Sequence, residues 1–231
     1  MKVEIWSDVV CPFCYIGKRK FENALNNFEG RQDVEIVWHS FQLDPDLKPV
    51  IGQSADEWLG LRKGTTKAEG KKMNDGVAAI AREVGLDYNF DIAIVNNTLQ
   101  AHRLLHLARE YKVQNKMKES LFLAYYSQGK DIGDLNVLFD LGQKLNIPIE
   151  ALKATFDSDR FTDEVHQDQE HARQIGVQGV PFFVFNDKYV ISGAQPPELF
   201  LEVLEKVKKE SKLILIKTEN EGFCIPNEDC N

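Results

Sequence analysis

"SDVVCPFCYIGKRKFE", Ser7 to Glu22, follows a short alternating apolar run and carries Cys11 and Cys14 with Pro12-Phe13 between them. Cys11 stands where a strand hands over to a helix. Pro12 suits the first helical turn, where a missing N–H costs nothing. A helix N-terminus presents unpaired N–H groups and the positive end of its dipole, which favour a thiolate over a thiol. Cys14 lies one helical turn further on, in reach of a mixed disulfide formed at Cys11 and more shielded. On this reading Cys11 is the candidate nucleophile and Cys14 the resolving thiol. Two other readings compete. A structural zinc site needs four ligands, and one CxxC supplies two; Cys224 and Cys230 could complete the set, although their spacing is loose. A structural disulfide across one helical turn closes a very short loop and stabilises little.

Outward from this stretch the chain divides into three parts. Met1 to Trp6 reads as a strand, a helix runs from Cys11 to about Gly30, and "DVEIVWHSFQL" (Asp33 to Leu43) reads as a second strand, a βαβ unit. From about Ser54 to Gly176 the apolar period is helical, as in Val77, Ile80, Ala81 and Val84, or Leu121, Phe122 and Tyr125. At Val180 the strand period returns. "VPFFVFNDKYVISG" splits at Asn186-Asp187-Lys188 like a hairpin, and Pro196-Pro197 opens a helix through Phe200, Leu204 and Val207. The expected architecture is α/β, with a long all-helical insertion between βαβ and ββα halves that can share one sheet.

Composition narrows the function classes. The 231 residues are 43% hydrophobic, which fits a packed core, and 36 acidic against 28 basic residues give a net charge of −8. That balance offers no nucleic-acid or anionic-membrane surface. The N-terminus lacks the pattern of a secretory signal, and no window approaches a membrane span, so a cytoplasmic protein is expected. Four cysteines are too few for a disulfide scaffold, and a close pair in a reducing compartment is more often catalytic or metal-binding than structural.

"SDVVCPFCYIG" after an N-terminal strand, together with "GVQGVPFFVF", "SFQLDP" (Ser40 to Pro45) and "NNTLQAHRLLHLA" (Asn96 to Ala108), resembles the DsbA family of the thioredoxin superfamily, most closely the FrnE-type proteins. The resemblance spans about residues 1 to 209. It implies a thioredoxin-like unit from residues 1–44 and 177–209, a helical insertion at 45–176 and a tail at 210–231. It implies a dithiol-disulfide oxidoreductase or isomerase using Cys11 and Cys14, with Pro12, Phe13, Val180 and a cis Pro181 supporting the site. No cofactor and no metal are called for. The implied partners are disulfide-containing proteins or small thiols, and a thiol reductant such as glutathione or a thioredoxin system. With Pro12-Phe13 where DsbA has a histidine, the pair should be a weaker oxidant than DsbA and rest reduced in cytoplasm.

Related folds include glutathione-dependent isomerases or transferases of the hydroxychromene-carboxylate isomerase type, usually without the CxxC pair, so retention of both Cys11 and Cys14 argues against that chemistry. The shared helical stretch would let Asn97 and His102 line a cleft above the cysteines. Asp8 is a candidate helix cap or proton relay to Cys14. Lys18, Arg19 and Lys20 read as a solvated face, and of His102 and His106 one is expected to pack and one to be solvated. Cys224 and Cys230 are expected as an auxiliary redox pair.

Overall fold

The computed structural model describes residues 1–210 apart from Pro49 and Ile51, so the auxiliary pair expected at Cys224 and Cys230 lies outside the described residues. Strand β1 (Lys2–Ser7) leads into α1 (Pro12–Asn26), and a tight turn of helix at Arg31–Asp33 returns the chain to β2 (Glu35–Ser40). The insertion comprises α2 (Ala55–Arg62), α3 (Lys67–Glu83), α4 (Leu99–Glu110), α5 (Gln114–Tyr126), α6 (Leu135–Lys144), α7 (Ile149–Phe156) and α8 (Thr162–Gln174). The chain closes with β3 (Phe182–Phe185), β4 (Tyr189–Ser192) and α9 (Pro197–Glu210). Residues 84–98 interrupt the helical block that periodicity predicts; Leu86, Tyr88 and Val95 are buried there without a helix.

One sheet in the order β2-β1-β3-β4 joins the two α/β halves. β1 runs parallel to β2, from Lys2 opposite Glu35 to Ser7 opposite Ser40, and antiparallel to β3. β3 and β4 form the hairpin, whose turn residues Asn186 and Asp187 take positive φ of 46° and 54°. Asn and Asp tolerate that region better than other side chains, so the sequence signal and the turn agree.

Strand alternation assigns the two faces. Val3 and Ile5 pack with Phe21 of α1, Phe183, Phe185 and, from α9, Phe200 and Leu204. Trp6 turns to the opposite face, against Phe182, Val184 and Ala172 of α8. At the outer edge of β2, the Gln114 amide imitates a neighbouring strand: it accepts from Trp38 N at 3.0 Å and donates to Trp38 O at 2.9 Å.

The insertion is not a separate body. Cys11, Cys14, Tyr15 and Ile16 at the start of α1 belong to the same hydrophobic core as Leu104, Leu121, Phe122, Leu138 and Leu152. The basic run of α1 shows the consequence. Lys18, expected on a solvated face, is buried, and its ammonium meets Glu22 at 2.6 Å and Glu119 of α5 at 2.5 Å. Arg19 joins Glu119 at 2.8 Å. The basic run pins the insertion to α1.

A second clasp ties α8 to the sheet. Asp168 receives Ser40 N at 2.7 Å, and its carboxylate lies 2.6 Å from His39 Nδ1 and 3.2 Å from His106 Nε2. Neither His102 nor His106 is solvated, contrary to expectation: both are buried. Burial pushes the Asp168 carboxyl up, but the bonds from His106, His39 and Ser40 outweigh it and hold the carboxyl below its ordinary range.

Helices α2 and α3 open on matching caps, Ser54 accepting from Glu57 N and Thr66 from Glu69 N. They then cross at glycines. A Cβ at Gly70 would sit 2.0 Å from Asp56 O and 2.8 Å from Gly60 N, whereas one at Gly76 on the same helix would meet nothing within 4 Å.

Two predictions follow from this packing. In urea unfolding, Gly70→Ala should lose about 1–3 kcal/mol through overpacking, while Gly76→Ala should gain up to about 1 kcal/mol from helix propensity. Because the folded pKa of Asp168 is depressed, its contribution is full above the unfolded value of about 3.9 and is lost as pH falls below it. Asp168→Asn should therefore be destabilised at neutral pH, with a gap to wild type that shrinks in melts taken below about pH 4.

Candidate active site

Cys11 occupies the N-cap of α1, with φ of −85° and ψ of 112°, and no side chain caps the helix there. Pro12 takes the first helical position. Cys11 and Cys14 are free thiols, and Cys11 lies near enough to raise the pKa of Cys14. Cys11 is 5% exposed and Cys14 fully buried. Cys11 Sγ lies 3.4 Å from Val180 O. The Val180–Pro181 bond is cis, and Pro181 comes so near α1 that a Cβ on Gly17 would lie 2.9 Å from its ring. Phe13, between the cysteines, is 41% exposed. Pro12 O accepts from the Tyr88 hydroxyl at 2.8 Å, which anchors the turn to the insertion.

Beneath the turn lies a buried charged set. Asp8 does not cap α1 through its side chain. Its carboxylate accepts from Leu43 N at 2.8 Å and lies 3.2 Å from His102 Nε2. Burial pushes the Asp8 carboxyl up, but the contact with His102, the Leu43 N–H and the Lys118 charge outweigh it, so it stays below its ordinary value. Burial pulls His102 down despite Asp8. A neutral ring donating from Nε2 fits this, since Nδ1 has no partner.

Lys118 of α5 is the member that sequence reasoning missed. It is fully buried, donates to Ser7 O at 3.2 Å, and lies 5.0 Å from the Phe122 ring centre and 5.4 Å from that of Trp38. Burial pulls its ammonium down to about 8, against the opposing effect of Cys14 and Asp8. Burial pushes the Cys14 thiol well up and Cys11 adds to this; Lys118 and Ser7 act the other way. A lysine at a buried position of an amphipathic helix was the available signal.

The remaining expectations fall on both sides. Asp8, Cys11, Pro12 and Phe13 line a cavity of about 700 Å³ between the start of α1 and helices α2 and α3, and Asn97 and His102 do not. Asn97 instead ties loops together, donating to Pro45 O and Leu47 O and accepting from Gln42 and Leu99 N. Among the described residues no group of three or more His, Cys, Asp or Glu is arranged to hold a metal ion. None of their helices is long and apolar enough to cross a membrane.

Comparison with known proteins bears on this geometry. The family model for the DSBA-like thioredoxin domain matches residues 2–205. A probable DsbA oxidoreductase from Streptomyces coelicolor superposes with a TM-score of 0.84 at 34% identity, over 98% of this chain and 100% of that one. The Bacillus subtilis protein YwbO is 25% identical over 210 residues, 90% of this chain and 98% of its own length. The cytosolic disulfide reductase DsbM of Pseudomonas aeruginosa shares the fold, with a TM-score of 0.62 at 16% identity over 91% of this chain and 100% of that one. DsbM has also been solved with GSH.

Burial orders the two thiols. Iodoacetamide on the reduced, native protein should label Cys11 and spare Cys14, and urea should expose both, as read by peptide mass mapping. Labelling of Cys14 ahead of Cys11 would reverse the assignment.

Proposed function

The chain belongs to the DSBA-like thioredoxin-domain family, and from that premise we propose that it is a thiol-disulfide oxidoreductase working at Cys11 and Cys14 through a mixed disulfide. The observation that carries the reading is the arrangement of two neighbouring free thiols, one at a helix N-cap and the other fully buried one turn on.

The Cys11 thiolate attacks a substrate disulfide R–S–S–R, forming Cys11–S–S–R and expelling R–S⁻. Cys14 then loses its proton and attacks the Cys11 sulfur. The Cys11–Cys14 disulfide forms, the second R–S⁻ departs, and two electrons have passed to the substrate. Read backwards, the same steps donate a disulfide. Cys14 must become a thiolate in an apolar interior, and the nearby Lys118 charge lowers the cost of that anion. Pro181 contributes no N–H to compete at the sulfur, and Val180 can pair with an extended substrate. With an uncharged Pro12-Phe13 dipeptide, the pair rests reduced in the cytoplasm, so reductase or isomerase work is favoured. A cytoplasmic setting and a reductant such as glutathione draw support from DsbM, a cytosolic reductase solved with GSH. A glutathione-dependent isomerase of the hydroxychromene-carboxylate type would have no use for a resolving thiol, which Cys14 is placed to be.

Cys14→Ser should stall at the first step, so that intact-mass spectrometry finds a stable adduct on Cys11 while wild type releases both halves of the substrate. Full turnover of the disulfide by Cys14→Ser would remove Cys14 from the resolving role. Lys118→Met should move the pH profile for resolution of that adduct to higher pH, because the thiolate loses its nearby cation. An unshifted profile would leave Lys118 without a part in resolution.

A further inference from the structure

The cavity beside Cys11 is within the range of small-ligand sites, about 300–1,000 Å³, and its lining specifies what fits. Phe13, Leu43 and Ile80, 41%, 44% and 37% exposed, present apolar surface to it, and Trp58, Val77 and Phe90 continue the wall.

Most of the polar side chains in the lining are already engaged. Asp8 holds Leu43 N and His102, the Asn74 amide donates to Asp56, the Asn96 amide donates to Asp131, and Thr98 accepts from Gln42. The Tyr125 hydroxyl has no hydrogen-bond partner among the described residues and is one polar group left for a ligand. A strongly polar thiol would give up its hydration here with little in return.

The rim has the opposite character. Arg62 and Asp44 neutralise each other as an ion pair, with the guanidinium 5.1 Å from the Trp58 ring centre. Lys63 and Lys72 also line the cavity, and neither ammonium has an ion-pair partner among the described residues. The site therefore combines a thiol, an apolar chamber and two cations without an ion-pair partner among the described residues.

The geometry points to a small-molecule substrate of one class: a disulfide whose thiol half has an aromatic or branched apolar body ending in a carboxylate. This rests on the redox reading above. The body fills the chamber beside Cys11 and the carboxylate meets Lys63 and Lys72. In single turnover the reduced protein is the electron donor. Cys11 takes one thiol half into a mixed disulfide as the other leaves, and closure of Cys11–Cys14 releases the second as a thiolate.

The test separates ligand class from redox chemistry. Naphthoate, an aromatic carboxylate with no sulfur, should protect Cys11 from iodoacetamide about tenfold at a concentration about ten times its dissociation constant, and naphthylmethylamine should not. The double variant Lys63→Glu/Lys72→Glu should weaken naphthoate binding about tenfold. The ratio of single-turnover rates for dithiobis(nitrobenzoate) over cystamine should fall in the same variant. Equal protection by anion and cation, no protection, or an unchanged rate ratio would overturn the substrate class while a reactive Cys11 kept the redox reading intact. A Cys11 that neither alkylates nor exchanges would overturn both.

Discussion

Lys118 carries an ammonium into the interior, where Ser7 O accepts its hydrogen bond and the Phe122 and Trp38 rings flank it. An isolated charge in such a place costs several kcal/mol, roughly, and persists only with compensation. Compensation comes from the Ser7 carbonyl at the end of β1, which accepts its hydrogen bond, and from the Asp8 carboxylate just after it. Removing either leaves a buried cation short of a partner. The position of α5 against the end of β1 thus has an electrostatic component as well as a packing one.

Seating is enforced again around this point by contacts of different kinds. Lys18 and Arg19 converge on Glu119, Gln114 closes the edge of β2, and the Tyr15 and Phe122 rings stack at 4.7 Å. Asp168 does the same on the opposite face through His39, His106 and Ser40. The sheet supplies the frame, and the insertion supplies the groups that determine what its first turn can do.

Much of the frame was legible because it is written in local periodicity and turn chemistry. Alternation in β1, Pro12 at the first turn and the Asn186-Asp187 hairpin are short-range signals, and each fold element formed where they stood. The site was legible only where it is local. Cys11 and Cys14 announce themselves by spacing, but the partners beneath them are 90 or more positions away: Asp8 with His102, Ser7 with Lys118. Charge alone misled for Lys18, because a basic residue on a helix looks solvated until an acidic neighbour from another element is known. Asn97 misled similarly. A polar residue near a cleft can be fully occupied as a loop clasp, and only its hydrogen bonds tell the two apart.

The same distribution separates two properties that sequence places together. α1 presents Cys11 to a cavity walled by α2, α3 and neighbouring loops, and one turn later delivers Cys14 to the charges below, which α4 and α5 complete. α2 and α3 are held to each other by a glycine crossing that leaves no room for larger residues. That pair can vary on its cavity-facing side, at Trp58, Val77 or Ile80, without disturbing the hydrogen bonds of Asp8 or Lys118. Conversely, a change at Lys118 alters the ionisation of Cys14 from a position outside the cavity wall. The cavity wall and the charges beneath Cys14 therefore reside on different helices of one insertion, joined through the four residues from Cys11 to Cys14.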